Sequence, residues 1–208
     1  MNIIGEVNQI LIASYTPYFI EKGFIWFQEN LEKVLTARKT RSFFEDNIIY
    51  LEKDQKFQLS NFLRKLDEMG YEKVLIVRDP GEFSQQGGIV DIFPVNTPNA
   101  ARLDFLGNKI ENIEILDLIV ADETKSKEVL KHKLKSQKLF SDLKGLKEGE
   151  YLVHLDHGIG KYVGLQKESE GRDYYILDYA EGDKLYVPFG LERKLSRYIG
   201  FIEPKVSR

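Results

Sequence analysis

Residues 151–200 constrain the fold of this chain more than any other stretch. They read YLVHLDHGIGKYVGLQKESEGRDYYILDYAEGDKLYVPFGLERKLSRYIG. Five short runs of β-forming residues alternate with glycine-bearing turns, and a short helical tail closes the run. Strands this short cannot bury a face alone, so the spacing predicts that they close on one another as a small barrel. Tyr151, Tyr162, Tyr174, Tyr175, Tyr179 and Tyr186 fit as interior and rim residues of such a barrel. A nucleic-acid stacking face is the weaker reading of these rings.

Chemistry in this run reduces to two near misses. Gly158-Ile159-Gly160-Lys161 resembles a phosphate loop, but Leu155 stands where the first glycine belongs and Tyr162 where Ser or Thr belongs. The alternating residues after Lys161 continue as a strand, whereas a phosphate loop opens a helix whose amides converge on the anion. His154 and His157, with Asp156 between them, could ligate a metal, but no further strong ligand group is nearby. The better reading is a strand corner at which Asp156 and His157 cap backbone amides. The acid pairs Glu111/Glu114 and Asp178/Asp183 read as solvated surface. No nucleophile elbow and no dinucleotide fingerprint is present. The residues argue for a docking module rather than an enzyme, with no cofactor and no metal.

Upstream, Phe19, Ile20, Phe24, Trp26, Phe27, Leu31 and Val34 recur at near-helical spacing, with Gly23 as an interruption. A helix is predicted over 25–36. Residues 47–53 alternate as a strand. Over 59–69, Phe62, Leu63 and Leu66 share a helical face, and Gly70 stands at the C-terminal cap. Strands are predicted near 73–78, 88–93, 101–106 and 109–116, with tight turns at Pro80-Gly81 and Gly107-Asn108. This is a helix on an antiparallel sheet, of the α+β class. Residues 121–146 are lysine-rich (Lys125, Lys127, Lys131 and Lys133 among them) and read as a solvated helix joining two domains. Acidic residues dilute the run, so a nucleic-acid contact is the lesser reading.

Composition narrows the function classes. A net charge of −3 gives no general pull toward nucleic acid or anionic membrane. The absence of cysteine excludes disulfides and thiolate metal sites and fits a reducing cytoplasm. The N-terminus lacks the pattern of a secretory signal, and no apolar run is long enough for a membrane span.

Two long motifs then converge. RDPGEFSQQGGIVDIFP at 78–94, followed by RLDFLGNKIENI at 102–113, resembles the UvrA-binding domain of UvrB, which also occurs in the Mfd-type transcription-repair coupling factors. VHLDHGIGKYVGL, DYYILDYAEGDKLYVP and SRYIG are similar to the RNA polymerase interaction domain shared by those factors and CarD-type regulators. Their order fits the coupling-factor family. The resemblance implies a UvrB-like α+β domain over 1–118, with a short N-terminal remnant, a lysine-rich helical linker over 119–145, and a small SH3/Tudor-like β-barrel over 146–208. The family's ATP-driven motor would begin where this sequence stops, so motor activity is not expected of it.

The resemblance also implies partners and surfaces. RNA polymerase β subunit is expected to pair with the strand at 161–169. The implied contacts there are Leu165, Gln166, Lys167, Glu168 and Ser169, with Arg172 and Tyr186 beside them. UvrA is the second, weaker partner, through Glu72, Glu82, Phe83, Gln85 and Gln86. The family carries arginines at two of these positions, where this chain has Glu72 and Gln86. Neither can reproduce the planar guanidinium fork. DNA is reached only through partners, and the expected state is a cytoplasmic bacterial monomer. The alternative is a CarD-like regulator that binds polymerase without repair coupling.

Overall fold

The computed structural model describes residues 8–120, 122–136, 143, 145–167 and 173–207, with the side chains of 134–136 excepted. The chain divides into two units, Met1–Lys138 and Leu139–Arg208.

The first unit begins with strand β1 (Gln9–Ala13), apolar and buried from Ile10 onward. Helices α1 (Pro17–Thr40) and α2 (Ser42–Asn47) then lead to β2 (Ile48–Glu52), which pairs antiparallel with β1. Thr16 starts α1: its hydroxyl accepts the Phe19 amide (3.3 Å), and Pro17 follows at the first helical position. Gly23 breaks α1 with φ 70° and ψ −178°, so the helical segment is longer than the predicted 25–36 at both ends but is divided at the glycine. Phe19, Phe27, Phe43 and Phe44 pack edge-on and tilted against one another beneath it.

Helix α3 (Leu59–Glu68) buries Phe62 and Leu66, as its spacing predicts. Gly70 (φ 89°) ends it, and the Tyr71 amide reaches back to the Leu66 carbonyl at 3.0 Å. The main sheet comprises β3 (Glu72–Lys73), β4 (Glu82–Gln86), β5 (Ile89–Phe93), β6 (Asn99–Leu106) and β7 (Lys109–Ile119), in that spatial order. Every neighbouring pair is antiparallel except β3 with β4. The strand expected over 73–78 is corrected: pairing stops at Lys73, and 74–78 runs irregularly. Val74 and Val77 there pack with Phe93, Ala100, Leu116 and Leu118. Strand β4 lies on residues read only as a motif.

Helix α4 (Glu123–Ser136) packs on α1. Ser126 and Leu130 are buried, and the Tyr15 hydroxyl donates to the Leu130 carbonyl at 2.6 Å. The expectation of a solvated helix is therefore corrected: Lys125 and Lys131 are exposed, but Ser126 and Leu130, a turn apart, are buried.

Among the described residues of the second unit there are five strands, as expected: β8 (Tyr151–His154), β9 (Gly158–Lys167), β10 (Asp173–Asp178), β11 (Lys184–Pro188) and β12 (Leu195–Arg197). Their order is β11-β10-β9-β8-β12. The pairs are antiparallel, and no pairing of β11 with β12 is seen among the described residues. The expected helical tail is instead a 3₁₀ turn (Glu192–Lys194) followed by β12. Leu143, Leu152, Tyr162, Leu177, Val187 and Leu195 form the core. No described helix is long and apolar enough to cross a membrane.

Candidate interaction surfaces

Strand β9 is longer than its neighbours, and each covers only part of it. On one side β8 pairs with Gly158–Lys161, and the Gly149 and Glu150 backbone extends that cover to Tyr162 (2.8 and 2.7 Å). On the other side β10 pairs with Lys161–Lys167. Ser207 closes the gap ahead of β10: its amide donates to the Ile159 carbonyl (2.8 Å) and its hydroxyl accepts the Ile159 amide (2.9 Å). What remains is the β8-side edge from Val163 to Lys167, where no strand partner is seen among the described residues. Gly164 sits at its start with φ 141°, close to the Glu148 carboxylate. A bulge in β9 falls at Val163, between the pairs Tyr162–Leu177 and Gly164–Ile176.

The residues expected at the polymerase surface divide between two faces. Leu165, 48 % exposed, lies opposite Tyr175 and in the same row as the core residue Val187. Gln166 lies opposite Tyr174, whose ring meets Tyr186 edge-on at 6.4 Å on the other face. Tyr186, 47 % exposed, is thus two strands from the open edge and on the opposite face from Leu165. Lys167 ends β9 opposite Asp173. Glu168, Ser169 and Arg172 lie outside the described residues.

The His154–His157 corner differs from its expected capping pattern. His154 is the acceptor: its Nδ1 takes the Asp156 amide at 3.1 Å. The Asp156 carboxylate instead takes the Lys194 ammonium at 2.8 Å, which holds its pKa below the ordinary range. His154 is buried beside the His157 ring, with centroids 4.8 Å apart. Burial, aided by His157, holds the His154 pKa below 6.5. Since the folded state disfavours the imidazolium, stability from this corner is complete above the unfolded pKa of about 6.5 and declines as pH falls. The second unit is expected to melt at lower temperature at about pH 5.5 than at about pH 7.5, and His154→Gln to flatten that dependence. Near-ultraviolet circular dichroism against temperature measures it.

In the first unit, the five residues expected to meet UvrA occupy different environments. Phe83 is buried against α3's side of the sheet, opposite Ile92. Glu82 is only 8 % exposed. One of its carboxylate oxygens accepts the Arg78 and Asp79 amides (2.9 Å each), and the other takes the Lys133 ammonium (2.6 Å). Burial raises the Glu82 pKa, but Lys133 and the two amides outweigh it and leave the carboxyl below its ordinary value. Gln85 is tied locally, its amide nitrogen donating to the Gly87 carbonyl at 2.8 Å. Glu72 and Gln86 are exposed.

The surface that results was not legible beforehand. Gln86 lines a groove of ≈ 280 Å³ together with Ser84, Ile89, Leu116 and Leu118. Arg102 and Asp91 form a two-bond ion pair in it, at 2.7 and 2.8 Å. Above lies the irregular segment 74–78. Its valines pack on the sheet residues Phe93, Ala100, Leu116 and Leu118, while Leu75 (91 % exposed) and Ile76 (67 %) line the rim of the groove. An apolar run such as VLIV reads as a buried strand. The only contrary sign was the Arg78-Asp79-Pro80-Gly81 turn immediately after it.

Comparison with known proteins divides the chain along the same lines. Residues 49–140 match the UvrB interaction domain, and residues 146–199 match the CarD-like/TRCF RID domain. Among curated relatives, the transcription-repair-coupling factor of Haemophilus influenzae is 45 % identical over 65 residues, covering 30 % of this chain and 6 % of that protein. The Bacillus subtilis factor is 36 % identical over 90 residues, covering 39 % of this chain and 8 % of its own length. The UvrABC system protein B of Helicobacter pylori strain HPAG1 is 42 % identical over 72 residues, or 34 % and 11 % of the two chains. The chain thus spans a small fraction of each relative. It carries one domain of each matched type, in the order the sequence motifs indicate.

Proposed function

We propose that this chain, pairing a UvrB-type interaction domain with a CarD-like/TRCF RID domain, is a non-catalytic adaptor. Its second unit docks on the RNA polymerase β subunit and its first on UvrA, in the bacterial cytoplasm and as a monomer. DNA is engaged through these partners.

The observation that carries this reading is the edge of β9 over 163–167, which has no strand partner among the described residues. A strand edge offers backbone donors and acceptors to an incoming strand, and flanking side chains set its specificity. Leu165 and Lys167 flank this edge, and neighbouring chain covers the rest of β9 on both sides. Most of the contact is main-chain, so it tolerates substitution better than a contact made by arginine side chains.

Titration calorimetry with a purified β-subunit fragment tests the assignment. Leu165→Glu is expected to weaken binding at least about tenfold, because it puts a charge beside the docked strand. Tyr186→Ala, across the sheet, is expected to leave the affinity unchanged. Wild-type protein that binds no β fragment sinks the reading. Binding to β without any to UvrA favours the CarD-like alternative.

A further inference from the structure

The residues expected to meet UvrA lie on β3 and β4, but the structure ties them to a helix far along the chain. Lys133 of α4 donates to Glu82 Oε1 at 2.6 Å and lies 3.9 Å from the Glu72 carboxylate. Glu82 Oε2 in turn holds the amides of Arg78 and Asp79. Gly81, at φ 87°, lets the backbone lie against the Tyr15 ring, since a Cβ would stand 2.6 Å from that ring. Tyr15 donates to Leu130 of α4. At the other end of α4, Glu123 meets the Gly23 break in α1: its carboxylate accepts the Ile25 amide at 3.3 Å and pairs with Lys127 at 2.7 Å. The helix is thus fixed at both ends, and its C-terminal half grips the 78–82 turn.

We propose that Lys133 is a positioning residue for the UvrA contact, acting through Glu82. Between Val74, whose amide bonds the Phe83 carbonyl, and Gly81, whose amide bonds the Phe93 carbonyl, no ladder partner of the segment is seen among the described residues. Within that span the Arg78 and Asp79 amides are held by Glu82. A buried carboxylate keeps such a role only while a counter-charge neutralises it, because desolvation otherwise favours the protonated acid. A protonated carboxyl accepts amide hydrogen bonds less strongly. Lys133 therefore fixes the segment that presents Leu75 and Ile76 beside the Gln86 groove. A fixed segment binds without the entropic cost of ordering it on contact. Helix α4 is then part of the first binding surface rather than a spacer. This role rests on the UvrA reading above, while the latch itself does not.

The test uses the full chain with Lys133→Met, which keeps the aliphatic stem and removes the charge, and Lys133→Arg, which keeps the charge. Amide hydrogen exchange at Arg78 and Asp79 is expected to accelerate about tenfold or more in Lys133→Met and to stay near wild type in Lys133→Arg. UvrA affinity is expected to fall about tenfold in the first variant only, with β-fragment affinity unchanged in both. Unchanged exchange in Lys133→Met overturns the latch. Faster exchange with unchanged UvrA affinity overturns the positioning role. A wild-type chain that fails to bind UvrA removes the UvrA reading and the positioning role with it, while the exchange rates still decide the latch.

Discussion

Replacing Asn96 by alanine is expected to destabilise the first unit by about 2–5 kcal/mol. Asn96 is fully buried, and its side chain acts as a strand neighbour for β1. Its Oδ1 accepts the Ala13 amide at 2.9 Å, and its Nδ2 donates to the Leu11 carbonyl at 3.0 Å. Alanine leaves both backbone groups buried without partners, each costing about 1–3 kcal/mol. Beside it, the Tyr71 hydroxyl donates to the Ala13 carbonyl at 2.7 Å and accepts the Val95 amide at 3.2 Å. These contacts fasten the N-terminal segment to the UvrB-type sheet. The single tryptophan, Trp26, lies in α1, so its fluorescence during urea unfolding reports on this unit. The expected loss is a large share of the roughly 5–15 kcal/mol of an ordinary domain. A shift below about 1 kcal/mol would show that Asn96 is dispensable.

Glu150→Ala is the corresponding lesion in the second unit. Glu150 Oε2 lies 3.2 Å from Arg197 Nη2, and both side chains are nearly buried. The same oxygen accepts the Lys147 amide at 3.2 Å, and the Glu150 carbonyl accepts the Tyr162 amide at 2.7 Å. The residue therefore joins the turn before β8 to β12 on one side and lies at the boundary of the open β9 edge on the other. Removing one member of a buried ion pair typically costs about 3–5 kcal/mol. Circular dichroism of the tyrosine-rich second unit is expected to show the loss, while the Trp26 transition keeps its midpoint. If both transitions move together, the two units do not unfold separately and the assignment of the effect to this pair fails.

Much of the architecture was readable because short-range chemistry dictated it. Gly70 follows an amphipathic run and takes the positive φ that ends α3. Gly107 (φ 62°) turns β6 into β7 for the same reason. Leu103 and Ile113 alternate with polar neighbours and face the core accordingly. Where the reading failed, a long-range partner had overridden local pattern. The VLIV run at 74–77 has strand composition, but the turn fixed by Glu82 and Lys133 draws it across the sheet instead of along it. Residues 121–146 look solvated by charge count, yet Tyr15 and Glu82, far away in sequence, supply partners for α4. Glu82 and Phe83 sit inside a diagnostic motif, and the structure buries both, which residue spacing alone does not foretell for Glu82.

The amino-acid sequence alone determined the composition of each unit, the five-strand count of the glycine-punctuated run, and the two domain types that its motifs match. Those depend on residue spacing and turn chemistry, which are local. Which strand edge stays open, which carboxylate is buried and which face carries Leu75 and Ile76 were decided only by the tertiary structure. Each depends on how far one strand outruns its neighbours, or on a charge brought in from some fifty residues away. Neither property leaves a periodic trace in the chain.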